Sequence, residues 1–424
     1  MHSYGLLGWP LTHSYSQEIH RRLADYSYTY FEVPPDAFQE FMSQRPFRAI
    51  NVTRPYKEKV VPFLDGMDEG ARACGSVNVI INRGDKLYGY NTDVLGLEEG
   101  IRQAGFSLAG KSALILGTGG SSKTSDFVLD KLGAGRVRKV SRTGRQGALT
   151  YQEAIEKGKN VDFLINTTPV GTAPDPMDRL PISPAAFPKL QGIYDLVYNP
   201  LRTPLVIEGE KRGVPSAGGF YMLVLQAFYS AQLFLGQKLD RDRADQIFRD
   251  LLAEKRNIVL TGMPASGKST VGRFLAWKMG RKLVDTDRLI EEGTGRHVSE
   301  LFLKEGEEAL RDWESRVIAG LRLETGLVIS TGGGSILREE NRDTLRANGL
   351  VYFLDRPVEE LFSTYRRPLT PNRRAMEDRY QERVDLYRLA DVRLDIRSLE
   401  SDQVAELIVE DWSKRTQRGG CLDS

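Results

Sequence analysis

Along most of the chain, apolar strand-like runs alternate with amphipathic stretches of helical period. That alternation predicts an α/β architecture with parallel sheets. Two strand–glycine-loop–helix units stand out, SALILGTGGSSKTSDFVLDKLG at 112–133 and NIVLTGMPASGKSTVGRFLAWKMG at 257–280. Between them, DRDRADQIFRDLLAEKRN at 240–257 predicts a charged helix that closes one domain. The boundary therefore falls near 253–256, with almost no linker. The most apolar segment, YMLVLQAFYSAQLFLG at 221–236, contains Gln226, Ser230 and Gln232 and is shorter than a membrane span needs. It predicts a buried amphipathic helix. Neither an internal repeat nor a low-complexity tract interrupts the pattern, and TQRGGCLDS reads as a frayed tail.

Length and composition sharpen this picture. A chain of 424 residues exceeds one hydrophobic core and predicts two or three domains. A formal net charge of +2 gives no global field for nucleic acid or an anionic membrane. Cys74 and Cys421 lie far apart, which excludes a disulfide framework and a cysteine zinc site and fits a reducing compartment. MHSYGLLGWPLTHS lacks a basic region and a sustained apolar run, so it does not read as a secretory signal. The expectation is a soluble cytoplasmic protein; its oligomeric state is not legible.

The second unit carries phosphate chemistry. Gly262-x-x-x-x-Gly267-Lys268-Ser269 completes the phosphate-loop pattern, so Gly262, Ala265, Ser266, Gly267, Lys268, Ser269 and Thr270 form the expected triphosphate cradle. The glycines turn backbone N–H groups inward, and the following helix adds positive potential. Lys268 is expected to reach the β- and γ-phosphates and Ser269 to ligate Mg2+. KLVDTDRL at 282–289 is expected to end a strand with Asp285 and Asp287 two apart, pointing the same way. One carboxylate can then serve Mg2+ and the other a substrate hydroxyl. LVISTGGGSIL at 327–337 sets Gly332, Gly333 and Gly334 after a strand, where small residues let a ligand approach backbone amides. YRRPLTPNRRAMEDRYQER at 365–383 reads as a lid whose arginines stabilise a transferring phosphoryl group.

With GMPASGKST, DTD, LRD, STGGG, RRPL and ERVDLY in place, residues 257–412 resemble shikimate kinase. The resemblance implies that Asp285 assists Mg2+ and that Asp287 binds a shikimate hydroxyl. It implies further that Arg311, Arg383 and Gly332 to Gly334 hold the carboxylate and ring, and that Arg367 contacts the nucleotide. One lid arginine should meet the transferring phosphate, and Arg373 and Arg374 both qualify.

The first unit points to a nicotinamide cofactor. Gly117-Thr-Gly119-Gly120, followed by Ser121, lies between an expected strand and helix, as dinucleotide binding requires. After the next expected strand, an NAD-binding unit places a carboxylate for the ribose hydroxyls. This chain instead has Ser141, Arg142, Thr143 and Arg145, which suit a 2′-phosphate and favour NADP. Interconverting ketone and alcohol also needs a proton donor and acceptor. Lys57 and Asp93 are candidates as a pair, although spacing alone favours two surface residues.

GWPLTHSYS, NVTRPYK, GSVNVI, NTDVLGL, GTGGSS, NTTPVGT, YDLVYNP and GGFYMLVLQ occur in the order of shikimate dehydrogenase, which residues 1–253 resemble. The resemblance implies that Lys57 and Asp93 form the catalytic pair. It implies that Ser14, Ser16, Thr53, Asn78, Asp93 and Gln226 bind substrate with Tyr198 nearby, and that Gly219 and Met222 border the nicotinamide. It also implies a two-lobed first half. Residues 1–98 with 221–250 would form the substrate lobe and 99–220 a Rossmann NADP lobe, followed by a P-loop kinase domain over 257–424.

The two resemblances name consecutive steps through one intermediate. The expected activity is NADPH-dependent reduction of 3-dehydroshikimate, then MgATP-dependent phosphorylation of shikimate. The rivals are a quinate dehydrogenase fused to another small-molecule kinase, and a regulatory relative without catalysis. Lys57, Asp93, Lys268 and Asp285, all present, speak against the second.

Overall fold

The computed structural model describes residues 3–11, 15–361 and 373–417. The chain divides into two compact units. One comprises Met1–Gly171, Arg179–Asn199 and Glu208–Arg249; the other comprises Thr172–Asp178, Pro200–Ile207 and Asp250–Ser424.

The first unit holds two sheets. Strands β1 (Tyr4–Gly8), β2 (Tyr28–Glu32), β3 (Ala49–Val52), β4 (Gly66–Met67), β5 (Val79–Arg83) and β6 (Lys86–Tyr90) run in the order β2-β1-β3-β5-β6-β4. This sheet is mixed: β1 is parallel to β2 and β3, while the β3–β5 and β5–β6 pairs are antiparallel. Only Gly84 and Asp85 separate β5 from β6, and so short a connection permits a hairpin and not a crossover. Both faces are covered. Leu7, Ile50 and Ile80 join one apolar cluster while their neighbours Leu6, Ala49 and Val79 join another.

The second sheet contains β7 (Ser112–Leu116), β8 (Arg136–Val140), β9 (Phe163–Asn166), β10 (Gly192–Asp195) and β11 (Ser216–Gly218), ordered β11-β10-β9-β7-β8. Every pairing in it is parallel. Strand order reverses beside β7, the place where open α/β sheets receive ligands, and the glycine loop 117–120 follows β7 there. Helices Asp93–Gln103 and Phe220–Leu235 pack together. A side chain at Gly96 would stand 2.9 Å from the Met222 carbonyl oxygen and 3.2 Å from the Gln226 nitrogen, so glycine allows the helices to meet backbone to backbone. Gly236, at φ +65°, ends the second of them in the left-handed conformation.

The second unit holds β12 (Asn257–Thr261), β13 (Leu283–Asp285), β14 (Val328–Ser330), β15 (Gly349–Asp355) and β16 (Val392–Asp395) in the order β13-β14-β12-β15-β16. All pairs are parallel. Ile258, Leu260, Val271, Leu275 and Tyr352 pack the helix after the phosphate loop onto this sheet. One expectation is corrected here. β13 stops at Asp285, and Asp287 lies in the first turn of helix Thr286–Thr294. The Asp285 carboxylate accepts the backbone N–H groups of Asp287 and Arg288, so capping the helix ends the strand before Asp287. Among the described residues no helix is long and apolar enough to cross a membrane.

Candidate active sites

In the first unit, Lys57 lies in the turn after β3 and Asp93 opens helix Asp93–Gln103. Lys57 Nζ donates to Asp93 Oδ2 at 2.6 Å. Asn78 Nδ2 donates to the other oxygen, Oδ1, at 3.0 Å. Asn78 Oδ1 accepts the Thr92 backbone N–H at 2.7 Å, which fixes the amide so that its nitrogen faces Asp93. A carboxylate held on both oxygens presents the lysine in one direction, as proton transfer to a ketone oxygen requires.

Ser16 begins helix Ser16–Leu23 and is buried. The Tyr15 ring lies 6.0 Å from those of Tyr198 and Phe220. Burial raises the hydroxyl pKa of Tyr15 and Tyr198, keeping both as neutral donors. The Thr53 N–H donates to the Leu7 carbonyl at 2.9 Å, tying the turn that carries Lys57 to β1. Gln226 Nε2 donates to the Leu223 carbonyl at 2.9 Å within its own helix.

At the glycine loop, Gly117 has φ +117°, and a side chain there would stand 2.6 Å from Thr167 Oγ1. Gly119 has open space around it and precedes helix Gly120–Lys131, whose N-terminus no side chain caps. Open N–H groups at a helix start fit a pyrophosphate. Ser121 is exposed on that first turn. After β8, Ser141 Oγ accepts the Gly144 N–H at 3.0 Å, and Arg142, Thr143 and Arg145 are exposed. Uncovered guanidinium groups at this strand end fit a ribose 2′-phosphate. Gly219 lies tight against the Leu196 carbonyl, and Met222 packs on the core beneath the second sheet.

In the second unit, Gly262, Ala265 and Gly267 take φ of +148°, +71° and +93° as the loop winds between β12 and helix Lys268–Met279. Lys268 Nζ donates to the Gly262 and Met263 carbonyls at 2.9 and 2.8 Å. Ser266 is buried, and the Thr270 N–H donates to the Gly267 carbonyl at 3.0 Å. Ser269 Oγ donates to Asp285 Oδ2 at 2.6 Å. A hydroxyl and a carboxylate brought together fit a hard divalent cation such as Mg2+.

The glycine turn after β14 is walled by charge. The Asp287 carboxylate lies against Gly332, with Glu314 beside it. Arg383 Nη1 and the Tyr387 hydroxyl donate to the Gly333 carbonyl at 3.1 and 2.6 Å. The Arg311 guanidinium covers Gly334 and donates to Glu307 and Glu314, each at 2.6 Å. Burial raises the pKa of the Glu314 carboxyl although Arg311 is beside it. Burial opposes charge on Arg311 too, and the two glutamates overcome it. Arginines and carboxylates gathered at bare glycines suit a small hydroxylated acid.

Residues 6–80 match the model of the shikimate dehydrogenase substrate binding domain, and residues 264–413 match that of shikimate kinase. A shikimate dehydrogenase (NADP(+)) of Halothermothrix orenii is 36% identical over 262 residues, covering 55% of this chain and 91% of that protein. The chain belongs to the shikimate dehydrogenase family. The shikimate dehydrogenase (NADP(+)) of Moorella thermoacetica is 32% identical over 292 residues, 62% of this chain and 96% of that protein. Among solved structures, shikimate dehydrogenase 1 of Peptoclostridium difficile aligns with a TM-score of 0.55 at 32% identity, over 59% of this chain and 98% of that one. The Thermus thermophilus enzyme, solved with NADP(H) and shikimate, aligns with a TM-score of 0.52 at 29% identity, over 58% and 98%. This polypeptide therefore joins a shikimate dehydrogenase to a shikimate kinase domain, an oxidoreductase to a transferase.

In the dehydrogenase half, the structure gathers Lys57, Asn78 and Asp93 into one hydrogen-bonded group. In the kinase half it gathers Ser269 with Asp285, and Asp287, Arg311 and Arg383 around Gly332–Gly334. Of the two lid candidates, Arg373 is engaged by Glu377 and Glu359, and Arg374 is exposed. Ser14 and Arg367 lie outside the described residues. Sequence reading missed Glu307, Glu314 and Tyr387. Their signal was helical spacing: four before and three after Arg311, and four after Arg383, on shared helix faces.

Proposed function

We propose that this chain reduces 3-dehydroshikimate to shikimate with NADPH and then phosphorylates the shikimate 3-hydroxyl with MgATP. The reading is carried by the Lys57 Nζ–Asp93 Oδ2 contact of 2.6 Å, fixed by Asn78, on the same polypeptide as a complete phosphate loop. Bound NADPH supplies the hydride, and bound MgATP the phosphoryl group. Lys57 Nζ delivers a proton to the substrate's carbonyl oxygen, and Asp93 Oδ2 holds Nζ in line for that transfer. Ser14, Ser16, Thr53, Asn78, Tyr198 and Gln226 orient the acid, while Gly219 and Met222 border the nicotinamide. Arg142 and Arg145, with Ser141 and Thr143, select NADP over NAD.

In the kinase half, Asp287 accepts the hydroxyl proton, and Arg311 and Arg383 hold the carboxylate over the glycine turn. Lys268 grips the transferred phosphate's oxygens, Ser269 and Asp285 hold Mg2+, and Arg367 with Arg373 or Arg374 closes from the lid. Shikimate-dependent NADP+ reduction and shikimate-dependent ADP release, measured separately on the intact chain, test this reading. NADPH formation without Mg2+-dependent ADP release would remove the kinase half, and the reverse would remove the dehydrogenase half.

A further inference from the structure

A hydrogen-bonded chain runs from the Lys57–Asp93 pair into the core of the first unit and meets at one hydroxyl. Ser230, on helix Phe220–Leu235, is fully buried. Its Oγ donates to the Gln226 carbonyl at 2.7 Å, one turn earlier in the same helix. A serine bonding its own helix is commonplace and carries nothing by itself. Ser230, however, is also reached from two other elements. Asn51 Nδ2, on β3, donates to Ser230 Oγ at 2.8 Å. Thr92 Oγ1, immediately before helix Asp93–Gln103, lies 3.0 Å from it.

Counting hydrogens fixes every direction. The single Ser230 proton goes to Gln226, so the contact with Thr92 must use the Thr92 proton. Ser230 Oγ thus accepts two bonds and donates one, its full capacity. Thr92 Oγ1, having given its proton, accepts from Asn78 Nδ2 at 2.9 Å. The other hydrogen of that amide reaches Asp93 Oδ1 at 3.0 Å. Asn51 is held in this orientation because its Nδ2 also donates to the Asn78 carbonyl, an acceptor only, at 3.4 Å, while its Oδ1 accepts the Tyr28 hydroxyl at 2.8 Å. Asn51, Asn78 and Thr92 are 5%, 3% and 2% exposed, so water does not compete for these groups.

We propose that Ser230 is a positioning residue for the dehydrogenase: through Thr92 and Asn78 it holds the Asp93 carboxylate facing Lys57. The inference rests on the acid–base reading given above. Without the Ser230 hydroxyl, the Thr92 hydrogen has no acceptor at this point and turns elsewhere. The Thr92 hydroxyl that receives the Asn78 amide can then rotate, the Thr92 backbone N–H alone still fixes that amide, and Asp93 gains freedom to rotate away from Lys57. Misplacement of a reacting group of this kind lowers kcat by about 10- to 100-fold.

The test uses the intact chain, with shikimate and NADP+ as substrates and rates normalised to sites titrated by NADPH fluorescence. Ser230→Ala is expected to lower kcat by about 10- to 100-fold while shikimate-dependent ADP release stays at the wild-type rate. A Thr92→Val chain is expected to show a similar loss, and Ser230→Ala added to it less than about a further twofold, since both act on one link. Independent losses that multiply would mean a merely structural serine and would overturn the proposal. So would a folded Ser230→Ala chain with kcat within about twofold of wild type. If Ser230→Ala does not fold, Thr92→Val alone decides by the same twofold criterion. An unaltered chain that fails to oxidise shikimate would overturn the acid–base reading itself, and the role of Ser230 with it.

Discussion

Replacing Gly334 with alanine adds one methyl group to the kinase half and should disable it. The backbone at Gly334 is not in the left-handed region, so the substitution acts by contact and not by strain. The new Cβ would stand 2.6 Å from Arg311 Nη2, and closer still to Cζ and Nη1. Ordinary contact begins at 3.4 Å, so the guanidinium must retreat by at least 3.4 − 2.6 = 0.8 Å. It has little freedom to do so, because Glu307 and Glu314 each hold it at 2.6 Å. Moving it away uncouples Glu314, which is 2% exposed. Breaking one side of a buried ion pair costs about 3–5 kcal/mol. Spread between lost order at the glycine turn and lost substrate contact, half of that range still lowers kinase kcat/KM for shikimate by about 10- to 100-fold. The assay is ADP release against shikimate concentration, with shikimate-dependent NADP+ reduction by the same chain as the internal control. A Gly334→Ala chain with kinase kcat/KM within about threefold of wild type would refute the packing argument.

The remaining predictions concern the first unit. Lys57→Met should lower shikimate oxidation by about 10²- to 10⁴-fold and leave ADP release unchanged, measured on one preparation. Arg142→Ala combined with Arg145→Ala should raise the KM for NADP+ at least about tenfold, the equivalent of one charge-assisted hydrogen bond, while leaving that for NAD+ unmoved; equal changes would deny them the 2′-phosphate. His20 is fully buried against Tyr28 and Phe234, at ring separations of 4.1 and 5.6 Å, and burial lowers its pKa to about 3. The unfolded chain takes up a proton below pH 6.5 that the native state refuses, so this contribution is intact above 6.5 and is lost as pH falls. Between pH 7 and pH 5 the loss is about 2 kcal/mol. Urea unfolding of the first unit at both pH values, compared with His20→Phe, checks it; parallel losses in the two chains would refute it.

The sequence disclosed the fold where local chemistry decides it. Continuous apolar runs before GTGGSS and GMPASGKST became β7 and β12, and the expected apolar helix at 221–236 appeared as Phe220–Leu235. The strand expected to carry both Asp285 and Asp287 failed because a helix start needs a capping acceptor, and Asp285 was the residue in reach. Lys57 and Asp93 were ambiguous as spacing alone, since β5, β6 and Asn78 intervene; only the folded sheet brings them to 2.6 Å. Ser230 lies further from view still. It is 138 residues from Thr92 and 179 from Asn51, and no local pattern announces that three elements will share its hydroxyl.

If one polypeptide makes shikimate and then phosphorylates it, both conversions must run in a single vessel. The direct measurement is to incubate the intact chain with 3-dehydroshikimate, NADPH, ATP and Mg2+ and to follow product mass alongside NADPH and ADP. The expected product is heavier than the starting acid by two hydrogens and one phosphoryl group, with NADPH consumed and ADP formed in equal amounts once shikimate ceases to accumulate. NADPH consumption that leaves only unphosphorylated acid, or no NADPH consumption at all, would contradict it.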